Sequence, residues 1–282
     1  MVKASIVIRS KDEEKFLGRT LEKVFEQTYK DFEVILVDSG STDKTLSIAS
    51  SHDVDIEKMP PEEFTFGRAL NIGAKKSKGE FIVYLTAHAI PVDKNWLQNL
   101  LNGFINENVA AVYGGQIPRK DCDPIERKDT LDAYGTESRI QTKNPFFSNS
   151  NSAIKNNVWA KNQFNEDIEI SEDYEWANRI LSQGYQIRYQ ADAIVTHSHN
   201  YPLRQVYHRF YREGMAHQQI SGYRLSFIRM VAEAAFKILT DLPFLIKKGQ
   251  ILTLPHSMGY RIAQRWGKYE GAKAAANSKD DV

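Results

Sequence analysis

Residues 79–91, GEFIVYLTAHAIP, read as a turn, a strand over Glu80–Leu85 and a polar exit that carries Thr86 and His88 before Pro91. The run from Phe81 to Leu85 is apolar without alternation, the pattern of a strand covered on both faces. In open α/β sheets ligands bind outside the carboxyl ends of the strands. The chemistry is therefore expected at Thr86–His88. A loop histidine by itself is equally an exposed or internally satisfied side chain, so the neighbouring segments carry the argument.

The same rhythm recurs on both sides. Upstream, Ala4–Arg9 is a β-branched run ending at Ser10, and Leu17, Leu21, Val24 and Phe25 follow at helical spacing. Phe32–Val37 is a second continuous apolar run, closed by Asp38-Ser39-Gly40-Ser41-Thr42-Asp43. Gly40 suits a tight turn there, and Ser41, Thr42 or Asp43 can cap the next helix. Val54–Glu57 is a third strand, and the helix of Phe64–Lys76 (FGRALNIGAKK) begins near Gly67. Arg68 lies in its first turn, a cation against the helix dipole, which an anion such as a diphosphate would offset. Downstream come a helix with Trp96, Leu97, Leu100, Leu101 and Phe104, and a strand over Val109–Tyr113 before Gly114-Gly115. Alternation of this kind predicts an α/β protein with a doubly wound sheet.

The alternation stops near residue 116. Asp121–Gln141 reads as a charged loop and helix, and Phe146–Asn151 as a polar turn-rich segment. Five acids (Glu166, Asp167, Glu169, Glu172, Asp173) lead into the helix YEWANRILSQG. Short strands follow at Gln186–Tyr189 and Ile194–Thr196, and the second runs into His197-Ser198-His199. From about Gly271 the chain turns into an Ala/Lys/Asp-rich tail.

The 282 residues are 41% hydrophobic and 26% charged, ordinary for a globular protein. The first residues run straight into a strand pattern rather than a signal peptide, and no unbroken apolar run of membrane-spanning length occurs. One cysteine, Cys122, excludes an internal disulfide and fits a reducing cytoplasm. The net charge of +1 hides an asymmetry: residues 1–200 carry 24 Lys/Arg against 30 Asp/Glu, and residues 201–282 carry 13 against 6. A basic final third suits an anionic partner surface, or a solvated helical face that balances the body. No recognised module or aromatic platform accompanies it, which argues against nucleic acid.

Five ordered segments carry a resemblance: Ser5–Thr45, Phe66–Leu97 with TAHAIP inside it, AAVYGGQIPR with FFSNSNS, SEDYEWANRILSQGYQIRY, and VTHSHNYPLRQVYHRFYREG. Together they resemble the family 2 glycosyltransferases of the GT-A fold, most of all the rhamnosyltransferase-like members of bacterial surface-polysaccharide pathways. That resemblance implies a Rossmann-like, mostly parallel mixed sheet flanked by helices, with a C-terminal helical extension. It implies a GT-A domain over 1–220, with the nucleotide-sugar half at 1–115 and the acceptor half at 116–220, and a basic helical extension over 221–282.

The resemblance also assigns residues. Asp38 matches the acid that holds the nucleobase, with Ser10 near the same base. Arg68 and Asn71 match positions that hold or frame the nucleotide. Asp173 matches the catalytic base of an inverting transfer, with Glu172 orienting it or binding acceptor. Thr86-Ala87-His88 occupies the place of the family's Asp-x-Asp metal motif, and His197 or His199 matches a histidine that reaches the metal in some relatives. Thr86 cannot replace a carboxylate. His88 is a ligand suited to Mn²⁺ or Zn²⁺ more than to Mg²⁺, and the polypeptide N-acetylgalactosaminyltransferases use Asp-x-His there. A metal-free site, with Arg68 and the basic segment after Tyr201 carrying the diphosphate, is the alternative.

The implied donor is a dTDP- or UDP-linked sugar, the acceptor a glycan or a lipid-linked glycan. A degenerate relative that binds a nucleotide sugar or glycan without turnover is the competing reading. Leu225–Ile246 has an Arg229/Glu233/Lys237/Asp241 stripe on an otherwise apolar surface, which fits a core, oligomer-forming or interfacial helix. The expected location is the cytoplasm, with peripheral contact at the membrane's cytoplasmic face.

Overall fold

A computed structural model describes residues 2–280, so Met1, Asp281 and Val282 lie outside the described residues. The elements in chain order are β1 (Ala4–Ser10), α1 (Leu17–Phe25), β2 (Phe32–Asp38), α2 (Thr45–Ala49), β3 (Asp55–Lys58), α3 (Phe66–Lys76), β4 (Phe81–Thr86), β5 (Ile90–Pro91) and α4 (Trp96–Leu101). They continue as β6 (Val109–Ile117), α5 (Pro124–Ala133), β7 (Arg139–Gln141), β8 (Asn151–Lys155), α6 (Asn156–Trp159), α7 (Glu172–Ser182), β9 (Gln186–Thr196), α8 (Leu203–Ser221), α9 (Phe227–Lys247) and α10 (Leu254–Asp280).

Two compact units result. The first comprises residues 1–117, 134–168 and 172–197; the second comprises 118–133, 169–171 and 198–282. The division falls at His197, not near residue 220. Helix α8 has its apolar partners in α10 and belongs with the C-terminal helices.

In the first unit the strands form one mixed sheet in the order β3-β2-β1-β4-β8-β6-β9-β5, with β7 paired to β9. Strands β3, β2, β1 and β4 run parallel, and their ends align: Ser10 is opposite Asp38, and Arg9 opposite Thr86. Alternation along the strands splits the core into two layers. Val7, Val37 and Tyr84 pack with α3, α6 and α7 on one face, while Ile8, Leu36 and Leu85 pack with α1 and α4 on the other.

Two strands differ from expectation. The NSAIK segment is β8, antiparallel between β4 and β6. Its Asn151 is fully buried because its amide is spent on Trp96 Nε1 (2.9 Å) and on the Gly115 and Ala193 carbonyls (3.1 and 2.8 Å). The two short strands after Gln186 are one strand, β9, whose register on β6 shifts between Gly114 and Gln116. Gly114 is required there, since a Cβ would meet the Ala193 carbonyl oxygen at 2.1 Å.

The second unit has a small core of Ile125, Val206, Leu245 and Tyr260. Arg261 on α10 is fully buried, bonded to Asp241 of α9 at 2.7 Å and to Asp129 of α5 at 2.6 Å. The Ala/Lys-rich tail is not an unstructured end: through Asp280 it is the last part of α10. Gly267 and Gly271, four residues apart, let α10 press against α8, where a Cβ would meet the carbonyl oxygens of Tyr207 and Tyr211 at 2.4 and 1.9 Å.

Candidate active site

Ser10, Asp38 and Thr86 stand at the carboxyl ends of β1, β2 and β4, which the parallel topology brings to one edge of the sheet. Asp38 is 1% exposed and satisfied by its own loop: Gly40 N and Ser41 N donate to Oδ2 at 3.0 and 2.9 Å, and Ser10 Oγ reaches Oδ1 at 3.4 Å. Gly40 takes φ +88, a conformation side chains avoid. Asp38 therefore shapes the 38–45 loop in addition to any ligand contact.

That loop is laced to the loop after β1. Asp12 N donates to Ser41 Oγ (2.9 Å), Thr42 N to Asp12 Oδ1 (2.8 Å), Glu13 N to Thr45 Oγ1 (2.7 Å) and Glu14 N to Asp43 Oδ2 (3.0 Å). The two loops form one rigid rim.

Helix α3 is capped by Thr65, which accepts from Arg68 N at 3.1 Å. The Arg68 guanidinium is ion-paired with Glu63, so Glu63 is the anion that offsets it in this structure. Asn71 is buried with its amide fully used. Nδ2 donates to the Phe164 carbonyl and to Glu166 Oε1, both at 2.9 Å, and Oδ1 accepts from Trp159 Nε1 (3.0 Å) and Phe164 N (3.1 Å). It frames the 164–166 loop rather than offering its amide to a ligand.

Asp173 opens α7, after Ser171 in a left-handed conformation (φ +70). Its Oδ1 accepts from Tyr174 N at 2.8 Å. Burial, then the adjacent Glu172 carboxylate, push Asp173 up to about 7, with the charge of Arg9 opposing them. Glu172 is turned inward, 5% exposed, where Asn149 Nδ2 donates to it at 3.3 Å. A carboxyl group raised by an apolar setting and a like charge is the state expected of a general base. Arg9, whose guanidinium lies over the Phe66 ring at 4.4 Å, and Asn149 were not singled out from sequence.

Thr86 closes β4 with its hydroxyl buried and without a hydrogen-bond partner among the described residues. Two residues on, His88 Nδ1 lies 2.6 Å from Glu13 Oε1, and the His88 ring stacks on His197 with centroids 4.9 Å apart and planes 13° apart. His197 Nδ1 lies 2.8 Å from Gln116 Oε1. Carboxylate and amide oxygens only accept, so both imidazoles donate from Nδ1, and Nε2 is the atom each would turn to a metal in its neutral form. That tautomer, held by a second residue, is the form in which histidine binds metal. The donor set fits a divalent cation of the Mn²⁺ or Zn²⁺ kind. His199 belongs to the second unit, where its ring stacks on Tyr201 (4.7 Å) and its N–H is held by Glu126. In that unit Arg212 of α8 is ion-paired with Glu169, and Arg209 lies over Tyr201.

Residues 5–162 match the family model described as glycosyl transferase family 2. This chain is a family 2 glycosyltransferase. The transferase is 34% identical over 258 residues to the O-antigen chain rhamnosyltransferase WbaN of Salmonella anatum, covering 85% of this chain and 82% of that one. It is 28% identical to the O-antigen chain rhamnosyltransferase RfbN of Salmonella typhimurium, over 94% of this chain and 90% of the relative. Its fold is that of GT-A enzymes: the mannosyltransferase PcManGT from Pyrobaculum calidifontis, solved in complex with GDP-Man and Mn²⁺, matches 99% of this chain and 88% of its own with TM-score 0.67 at 18% identity. Among the described residues of the glycosyltransferase no helix is long and apolar enough to cross a membrane.

Proposed function

We propose that this glycosyltransferase moves rhamnose from a dTDP- or UDP-linked donor to a glycan or lipid-linked glycan acceptor in surface-polysaccharide assembly, with inversion at the anomeric carbon. Similarity to O-antigen chain rhamnosyltransferases over more than four-fifths of both chains supports the sugar and the pathway. The raised carboxyl group of Asp173 carries the mechanism. The acceptor oxygen bonds to the anomeric carbon as its proton passes to Asp173, and the bond from that carbon to the diphosphate breaks, releasing the nucleoside diphosphate. One carboxylate suffices for a single displacement, which is why inversion follows.

The 38–45 loop would take the nucleoside, with Asp38 and Ser10 at its base and Arg68 framing it, while Asn71 holds the 164–166 loop in place. His88 and His197 would hold a divalent ion, Mn²⁺ before Mg²⁺. Bound there, the ion would neutralise charge on the leaving diphosphate. Peripheral contact with an anionic lipid surface, through the exposed apolar residues of α9 and α10, belongs to the same reading.

The deciding experiment incubates the protein with dTDP- and UDP-linked sugars and a rhamnose-accepting lipid-linked glycan, with Mn²⁺ and after exhaustive chelation. Transfer of rhamnose with inverted configuration by NMR, lost on chelation and restored by Mn²⁺, is expected. A retained configuration removes Asp173 as a direct base. Full activity after chelation removes the metal from the site. A non-catalytic relative, the reading that Thr86-Ala87-His88 favours, would bind donor and turn over none of it.

A further inference from the structure

The acid that Thr86-Ala87-His88 lacks is returned to the site by another strand's loop. Glu13 follows β1, and its Oε1 lies 2.6 Å from His88 Nδ1 across 75 residues of sequence. Both side chains are 18% exposed, so the contact is largely shielded from water. The Glu13 backbone is held on both sides: its N–H donates to Thr45 Oγ1 at 2.7 Å, and its carbonyl accepts from Phe16 N and Leu17 N at 3.0 and 2.9 Å. Its neighbours Asp12 and Glu14 are bonded into the 38–45 loop. Little conformational freedom remains to be lost when His88 is engaged.

We propose that Glu13 is a positioning residue of the metal site, supplying through His88 the negative charge that an acid would otherwise bring directly. The inference rests on the reading of His88 as a ligand. A carboxylate on Nδ1–H fixes the ring's tautomer and orientation and makes Nε2 a stronger donor. Gln116 gives His197 the same orientation without charge. The two imidazoles are thus supported unequally, and the charged support is the one at the site of the lost acid.

Glu13→Gln keeps an acceptor for Nδ1–H but removes the charge; Glu13→Ala removes both. Mn²⁺ is titrated into the parent and each variant by electron paramagnetic resonance, with dTDP and separately with UDP, alongside thermal melts. Expected is a loss of Mn²⁺ affinity of about tenfold for Glu13→Gln and up to about a hundredfold for Glu13→Ala, with nucleotide affinity in the absence of metal unchanged. If Glu13→Ala melts early, Glu13→Gln decides alone. Equal Mn²⁺ affinity in parent and Glu13→Gln overturns the role of Glu13 while leaving His88 a ligand. A parent that binds no Mn²⁺ with either nucleotide overturns both.

Discussion

As the proposed base, Asp173 sets function and stability against each other at one residue. Its raised proton affinity means the folded protein holds a proton that the unfolded chain, with the ordinary value near 3.9, releases. The stability this contributes is full below about pH 4 and is lost as pH rises through about 7. The base form that the proposed mechanism uses appears over the same rise. In the free enzyme, kcat/KM for transfer should therefore climb through about pH 7 and level off above it. Asp173→Asn should lower transfer by about 10²–10⁴-fold, leave nucleotide affinity near the parent's, and melt no earlier than the parent at pH 8. A variant that transfers normally removes Asp173 as the base. Asp173 was singled out in sequence through the family resemblance, but Glu13 was not, because only the fold brings it to His88.

At the scale of elements, legibility followed apolar content. β1, β2 and β4 announce themselves as unbroken apolar runs and α1 by its helical spacing; the structure places the three strands within a residue or two of expectation, and α1 ends at Phe25, short of the Thr28-Tyr29 end that its pattern suggests. β8 does not, since Asn151 and Ser152 are polar; Asn151 is buried by bonding to residues far along the chain, and Ser152 Oγ donates to Asn149 Oδ1 three residues before it. α10 was expected only as an undivided part of a helical extension, because its glycines blur its extent. Glycine lowers helix propensity by about 1 kcal/mol against alanine, yet Gly267 and Gly271 are present because α8 leaves no room for a Cβ. Two opposed terms meet in Gly271→Ala: about 1 kcal/mol of propensity gained, against overpacking of about 1–3 kcal/mol. The obstacle is backbone, the Tyr211 carbonyl at 1.9 Å, so overpacking should win and chemical denaturation should show net loss. At Gly259 in the same helix the nearest atom is the Leu203 Cδ1 at 2.9 Å, the end of a flexible side chain, so Gly259→Ala should be neutral or stabilising. Equal losses at both sites would refute the packing account.

Across the whole molecule, exposed apolar surface is concentrated in α9 and the start of α10. Ile228 is 82% exposed, Phe236 65%, Leu239 64%, Ile246 65% and Leu252 93%. Arg224, Arg229, Lys247 and Lys248 are exposed in the same stretch, which suits an anionic lipid surface. Flotation with phosphatidylglycerol vesicles at low salt, weakened at high salt, is the expected outcome. Ile228→Asp with Leu252→Asp should abolish it. Truncating before α9 would be a poor test, because Leu245 and Tyr260 are core residues. Unchanged flotation by the double variant would sink the lipid reading. The sheet, finally, constrains how the protein can be made. With β8 seated between β4 and β6, a nascent chain that has emerged only as far as Ile117 holds two strands whose neighbour has not yet been synthesised. Their backbone donors and acceptors stay open along that gap, an edge prone to wrong pairing. The first 117 residues are thus no independent folding unit, and productive folding waits for residues 151–155 to leave the ribosome.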